Sequence, residues 1–144
     1  MSMDEKAIYR VLDANLNRAR EGLRVMEEVA RFVTETKRYA RALKTARTKL
    51  QKATLALPSV EKLFLSRNSD GDLGKDLNPK LEFKRNSIAG IFEANAKRVE
   101  EALRVLEEFS KLISPSSAKQ FKALRFNVYQ LEKEFLSTVL TKLQ

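Results

Sequence analysis

The chain repeats one helical phrase. Residues 13–32 read DANLNRAREGLRVMEEVARF, and residues 93–112, 80 positions later, read EANAKRVEEALRVLEEFSKL. Nine of twenty aligned positions are identical: Ala14/Ala94, Asn15/Asn95, Arg18/Arg98, Glu21/Glu101, Leu23/Leu103, Arg24/Arg104, Val25/Val105, Glu27/Glu107 and Glu28/Glu108. A fixed internal period constrains architecture before any local reading does. Here it requires two similar halves. Six of the nine identities are polar or charged. A repeat kept for packing alone would preserve its apolar stripe, so this one points to a site as well as a core.

The rest of the chain reads almost entirely as helix. With only four glycines and three prolines, its punctuation is sparse. Leu12, Leu16, Ala19, Leu23, Met26, Ala30 and Val33 recur in steps of three and four, which predicts a first helix over about residues 4–34. The TETK stretch then marks a turn. A second helix is expected over about 37–57, with Pro58 ending it or starting a short helical turn over SVEKLFL. A third is expected over about 86–113, with Ser110 a polar defect on its inward stripe. Ser114-Pro115 signals the start of a fourth, running to the C-terminus. The second helices match more weakly, as Leu43 with Leu124 and Leu50 with Leu131, after a one-residue slip. The predicted fold is therefore all-α: one domain over 1–144, a four-helix bundle of two repeated hairpins, with halves at about 4–57 and 84–143. The crossover, 58–83, contains SRNSDGDLGKDLNPKLEF, too long for an ordinary bundle loop and of a kind that is often functional.

Composition removes whole classes of chemistry. The chain has no histidine and no cysteine. Disulfides, ordinary zinc sites and His- or Cys-based nucleophilic mechanisms are excluded. A general acid or base must be a carboxylate, Lys or Tyr, and a metal must be a hard one such as magnesium. No apolar run approaches a membrane span, and the N-terminus lacks a signal-peptide core, so the expected compartment is the cytoplasm. The net charge of +9 suits an anionic ligand, either a phosphorylated small molecule or nucleic acid. The basic residues are spread along all the helices, and Tyr9, Tyr39, Tyr129 and most phenylalanines fall near apolar stripes. Both features rank a nucleic-acid binder last.

On a helical wheel Glu21, Arg24 and Glu28 share a polar face, Arg18 lies beside them, and Asn15 falls in the apolar arc. The second copy repeats this with Glu101, Arg104, Glu108, Arg98 and Asn95. A buried Asn must find partners, so Asn15 and Asn95 either bond each other or cap a turn, or they line a polar pocket between the first and third helices. Arg18 and Arg98 are the candidate phosphate contacts, since a guanidinium grips an oxyanion bidentately. The glutamates can hold magnesium or accept a proton, and their spacing favours neither. The same charges also suit plain surface ion pairs three or four residues apart. In the crossover, Asp70 and Asp72 flank Gly71, and Gly74 follows. This is a turn whose N–H groups can face a phosphate and whose aspartates can bind magnesium. No Walker or GxGxxG motif occurs.

LDANLNRAREGLRVMEEVARF, SRNSDGDLG and NSIAGIFEANAKRVEEALRVLEEFSKL together resemble the alternative hydroxymethylpyrimidine phosphate kinase family of thiamine biosynthesis, over about residues 8–137. That all-helical domain also occurs fused N-terminal to thiamine-phosphate synthase. The resemblance implies phosphorylation of 4-amino-5-hydroxymethyl-2-methylpyrimidine phosphate to the diphosphate with ATP and magnesium, and thiamine-phosphate synthase as a partner. Positions matching the family's motifs are Asp13, Asn15, Arg18, Glu21, Arg24, Glu28, their second-copy equivalents, Arg67, Asp70, Gly71, Asp72, Gly74, Arg85 and Asn86. The expected catalytic carboxylates are Glu21, Glu28, Glu101, Glu108, Asp70 and Asp72, the two aspartates doubling as metal ligands. Asn15, Arg18, Arg24, Asn95, Arg98, Arg104, Arg67, Gly71, Gly74 and Arg85 are expected to bind substrate or phosphate. A non-catalytic sensor or synthase-partner domain is the alternative, and a homodimer is compatible with either.

Overall fold

Most of the helices begin at a serine that caps them. The computed structural model describes residues 1–77 and 84–140, which form helices α1 (Met3–Glu28), α2 (Lys37–Leu55), α3 (Val60–Leu65), α4 (Ile88–Ser110) and α5 (Pro115–Thr138). The side chains of Ser2, Ser59, Ser87 and Ser114 accept from the backbone N–H groups of Glu5, Lys62, Gly90 and Ser117, at 3.0–3.2 Å. Each bond satisfies a donor that the first helical turn leaves orphaned. The expected Ser114-Pro115 start is present, with Pro115 in the first turn of α5. The end of the crossover, including Pro79 and Phe83, and the last residues of the fourth helix lie outside the described residues.

The first helix is not α-helical to Thr34, as the periodicity suggested. It passes at Val29–Val33 into one turn of π-helix, in which the Thr34 N–H reaches back five residues to the Val29 carbonyl at 3.0 Å. Glu35 then turns the chain at φ 48°, in the left-handed region. The repeat-equivalent corner has no such feature. There α4 stops at Ser110, and Ser114 starts α5. The start of α4 at Ile88, two residues later than expected, follows from the cap at Ser87.

The four long helices form a ring in the order α1, α2, α5, α4, and the short α3 packs on α1. Leu12, Leu16, Leu23 and Met26 of α1 meet Phe92, Leu103 and Leu106 of α4 and Phe121 and Phe135 of α5, all essentially without solvent exposure. Each such side chain stabilises the fold by about 1.5–3 kcal/mol relative to exposure. Ser110 lies inside this core but its hydroxyl donates to the Glu107 carbonyl at 3.3 Å, so the defect is satisfied locally. The aromatic reading needs correction. Tyr9 and Tyr39 are buried, but Phe32, Phe64, Phe109, Phe126 and Tyr129 are exposed. The four phenylalanines stand on four different elements and form no common strip.

Gly22 sets the distance between α1 and α4. A Cβ built there would lie 2.5 Å from Val99 Cγ2 and 3.1 Å from the Asn95 carbonyl oxygen. Only a residue without a side chain lets the two backbones come this close. We expect Gly22→Ala to lower stability by on the order of 1–2 kcal/mol despite alanine's better helix propensity, because the β-branched Val99 has few rotamers with which to yield. Urea unfolding of Gly22→Ala, Val99→Ala and the double variant checks this. The double variant should lose at least about 0.5 kcal/mol less than the sum of the singles.

Candidate functional site

A groove runs between α1 and α4 under the crossover, where the two copies of the repeat meet. Its larger lobe, about 670 Å³, is lined by Asn15, Arg18, Asn95, Arg98 and Glu101, with Asp72, Gly74 and Arg85 from the crossover side. A smaller lobe of about 260 Å³ is lined by Asp13, Asn17, Glu21, Arg67 and Ser69. Arg18, Arg98 and Asp72 line both lobes and mark their junction.

Each of these side chains has a physical reason for its position. The Asn15 amide donates to the Val11 carbonyl at 2.9 Å, and its oxygen accepts from Arg18 Nη1 at 3.2 Å. Asn95 donates to the Ile91 carbonyl at 2.8 Å. The two asparagines therefore neither bond each other nor cap a turn. Each is satisfied on its own helix, and Asn15 also orients Arg18. Arg98, Glu21 and Glu101 make no hydrogen bond or ion pair with any described residue. Arg18 has no carboxylate partner among the described residues either, so within them neither guanidinium is held by an acidic side chain.

The crossover is tied down at its start. Arg67 grips Asp13 of α1 through two hydrogen bonds of 2.8 Å, and Arg10 donates to the Asn68 carbonyl at 3.1 Å. Arg67 lines the smaller lobe, but its guanidinium is engaged in holding the loop. The loop then makes two side-chain turns: Asn68 Oδ1 accepts from the Gly71 N–H at 2.9 Å, and Asp72 Oδ1 from the Gly74 N–H at 2.8 Å. Asp72 faces the groove. Asp70 is fully exposed, 3.7 Å from Lys75, and neither it nor Gly71 lines a lobe.

Four other expected site residues stand apart from the groove. Arg24 pairs with Glu28 at 3.9 Å, and Arg104 with Glu108 at 3.0 Å, on half-exposed helix faces. These are the plain surface pairs that the spacing also allowed. Hydrogen bonding from Lys111 and the charge of Arg104 hold the Glu108 carboxyl below its usual range. Among the described residues no group of three or more acidic side chains could hold a metal. The donor set on the larger lobe, Asp72 and Glu101, matches in number an ion such as magnesium, which usually keeps several waters and takes only one or two carboxylates. It does not form an all-protein cage.

The ThiD2 family's sequence profile matches residues 10–134. The chain belongs to the ThiD2 family. It is similar to proteins named thiamine-phosphate synthase: from Nostoc punctiforme, 44% identical over 132 residues, covering 92% of this chain and 36% of the relative; from a Synechocystis species, 43% over 136 residues, 94% and 38%; and from Gloeobacter violaceus, 38% over 130 residues, 90% and 37%. The chain thus spans little more than a third of the length of these relatives. No solved structure matches it. No helix among the described residues is long and apolar enough to cross a membrane.

This ThiD2 chain also holds buried carboxylates that the sequence reading left without a role. Glu27 accepts from Arg47 Nε at 2.7 Å and Nη2 at 3.2 Å, and Glu107 accepts from Arg125 Nη2 at 2.9 Å. These repeated glutamates clamp each hairpin and lie outside the groove. The signal was present as one of the nine identities, Glu27/Glu107, but the arginine partners lie outside the repeated phrase. On the α5 side of α4, Glu100 and Glu132 are both buried beside Lys97, whose Nζ is 3.2 Å from Glu132 and 3.6 Å from Glu100. One Glu100 oxygen has no hydrogen-bond partner. Burial, then the hydrogen bond and charge of Glu132, push the Glu100 carboxyl up to about 8.

An acid raised in the fold but ordinary when unfolded gives up its proton first in the unfolded chain. The fold is therefore progressively destabilised as pH rises from about 4.5 toward 8. Glu100→Gln should remove that loss. Urea midpoints should show near-equal stability to the parent at pH 4.5 and a gain on the order of 1–3 kcal/mol at pH 8. A constant offset at both pH values would mean that Glu100 does not titrate in this window.

Proposed function

We propose that the α1–α4 groove transfers the γ-phosphoryl group of ATP to 4-amino-5-hydroxymethyl-2-methylpyrimidine phosphate, giving the diphosphate and ADP. The setting is thiamine biosynthesis, which the ThiD2 membership and the thiamine-phosphate synthase relatives support. The observation that carries the reading is the pair of arginines at the junction of two lobes, one from each repeat copy, neither with a carboxylate partner among the described residues. Two lobes suit two substrates, and a phosphoryl group in transfer lies between them.

The acceptor chemistry explains why the chain manages without histidine. The attacking atom is a phosphate-monoester oxygen, largely ionised at neutral pH because its second pKa is about 6. That oxygen forms the new bond to the γ-phosphorus, the bond from the γ-phosphorus to the bridging oxygen breaks, and ADP leaves with the bond's electrons. No proton has to be removed, so no general base is needed. Alignment and neutralisation of the equatorial oxygens remain, and Arg18, oriented by Asn15, and Arg98 supply both. Magnesium on the nucleotide would add charge neutralisation, and Asp72 and Glu101, the carboxylates lining the larger lobe, would hold it. Glu21 borders the smaller lobe, where it is suited to orient substrate hydrogen-bond donors.

The direct test incubates the chain with the pyrimidine monophosphate, ATP and magnesium and follows ADP and diphosphate. Arg18→Ala and Arg98→Ala should each lower kcat/KM about 10- to 100-fold, the loss of one charge-assisted contact of about 1.5–3 kcal/mol, with unchanged urea midpoints. Turnover unaffected by both substitutions would remove the groove as the site. Binding of the monophosphate without turnover would favour the sensor reading.

A further inference from the structure

The two hairpins of the repeat differ most at their corners, and a second basic cleft sits at one of them. Between the end of α1 and the start of α2 lies a cleft of about 580 Å³ whose walls carry six cations: Arg24, Arg31, Lys37, Arg41, Lys44 and Arg47. Two carboxylates face them, Glu27 and Glu35, so the lining carries a net charge of +4. The cleft shares no residue with the α1–α4 groove. Arg24 is turned about 120° from Arg18 around α1, toward the other side of the helix.

The π-turn opens this cleft. In the second copy Lys111, four residues after Glu107, folds back to that glutamate at 3.9 Å, joining Arg104 and Arg125 there. Its counterpart in the first copy is Arg31. The π-turn at Val29–Val33 changes the register after Glu27, and Arg31 makes no ion pair with it. The Arg31 guanidinium, which lines the cleft, instead stacks over the exposed Phe32 ring, 4.8 Å from its centroid. Lys37, Arg41 and Lys44 also have no ion pair among the described residues. Arg47 is fixed at the base by its bidentate bond to the buried Glu27. Single π-turns and left-handed non-glycine residues such as Glu35 concentrate at functional sites, and both border this cleft.

We propose that the α1–α2 corner is a second anion site, for a small molecule carrying a chain of two or three phosphates. A single phosphate, at about −1.5 to −2, leaves half or more of the lining charge unanswered, whereas two or three phosphates approach it. The volume lies in the range of small-molecule pockets, about 300–1,000 Å³, and exceeds what orthophosphate fills. Arg31, backed by the Phe32 ring, offers the flat guanidinium face for a planar group attached to the chain. The site stands whether or not the α1–α4 groove transfers phosphoryl groups.

The test titrates inorganic tripolyphosphate into the full chain by calorimetry at low salt, in the background Arg18→Ala/Arg98→Ala so that the groove does not contribute. One tripolyphosphate should still bind. Adding Arg31→Ala/Arg41→Ala should raise its Kd at least tenfold. Adding Lys119→Ala/Lys122→Ala, which removes the same charge from an exposed face of α5, should raise it less than threefold. Equal weakening by the two pairs would reduce the binding to diffuse surface charge and overturn the site, and so would absence of binding in the starting background. If the corner variant loses helicity, Lys44→Ala, at an exposed position, takes its place with the same threshold against Lys122→Ala. Turnover measured separately reports on the groove.

Discussion

The close approach of α1 and α4 at Gly22 is the constraint on which the rest depends. With no side chain at that position, Val99 and the Asn95 carbonyl seat directly on α1. This brings the polar faces of both repeat copies to the edges of one groove. A larger spacing would leave Asn15, Arg18, Asn95 and Arg98 on separate helix surfaces. α2 and α5 then close the ring from behind, and the clamps Glu27–Arg47 and Glu107–Arg125 bind each to its own hairpin partner. Such pairs contribute modestly when intact, but removing one partner leaves a buried charge at a cost of about 3–5 kcal/mol. They therefore fix the pairing of helices more than they raise overall stability.

The second theme is broken symmetry. The repeat would allow two equivalent grooves and two equivalent corners. A single crossover, anchored by Arg67 on Asp13 and by Arg10 on the Asn68 carbonyl, covers the groove and brings Asp72 to it. A single π-turn widens one corner and separates Arg31 from Glu27, where Lys111 still reaches Glu107. Beside each departure stand cations with no carboxylate partner among the described residues, Arg18 and Arg98 at the groove and Lys37, Arg41 and Lys44 at the corner. Glu27 and Glu107 show the reverse: these repeated carboxylates are each paired with an arginine of their own hairpin, and their role is structural.

Much of this was legible from the chain alone. The three- and four-residue spacing of Leu12, Leu16, Leu23 and Met26 depends only on helix geometry, and those residues are buried as expected. The Ser114-Pro115 start is likewise a local matter of one hydroxyl and one fixed φ. The gathering of Asn15, Arg18, Asn95, Arg98 and Glu101 followed from reading two copies as facing each other. Less was legible where a residue's role depends on what distant helices bring beside it. Arg24, Glu28, Arg104 and Glu108 match between copies as well as Arg18 and Arg98 do, yet they stand in surface pairs, because a wheel gives direction around one helix but not what lies opposite. Glu100 and Glu132 are 32 positions apart, and no local pattern marks them as a buried pair.

The sequence by itself determined an all-helical chain in two repeated halves, the serine caps and the set of chemistries excluded by the absence of histidine and cysteine. Those are properties of periodicity, single-residue geometry and side-chain inventory, and each is complete within a few residues. Only the tertiary structure decided which of the repeated charges face a groove, which clamp a hairpin and which pair in solvent. Charge identity is local, but an ion's role depends on burial and on what stands within about 4 Å, and those are set by how distant helices pack.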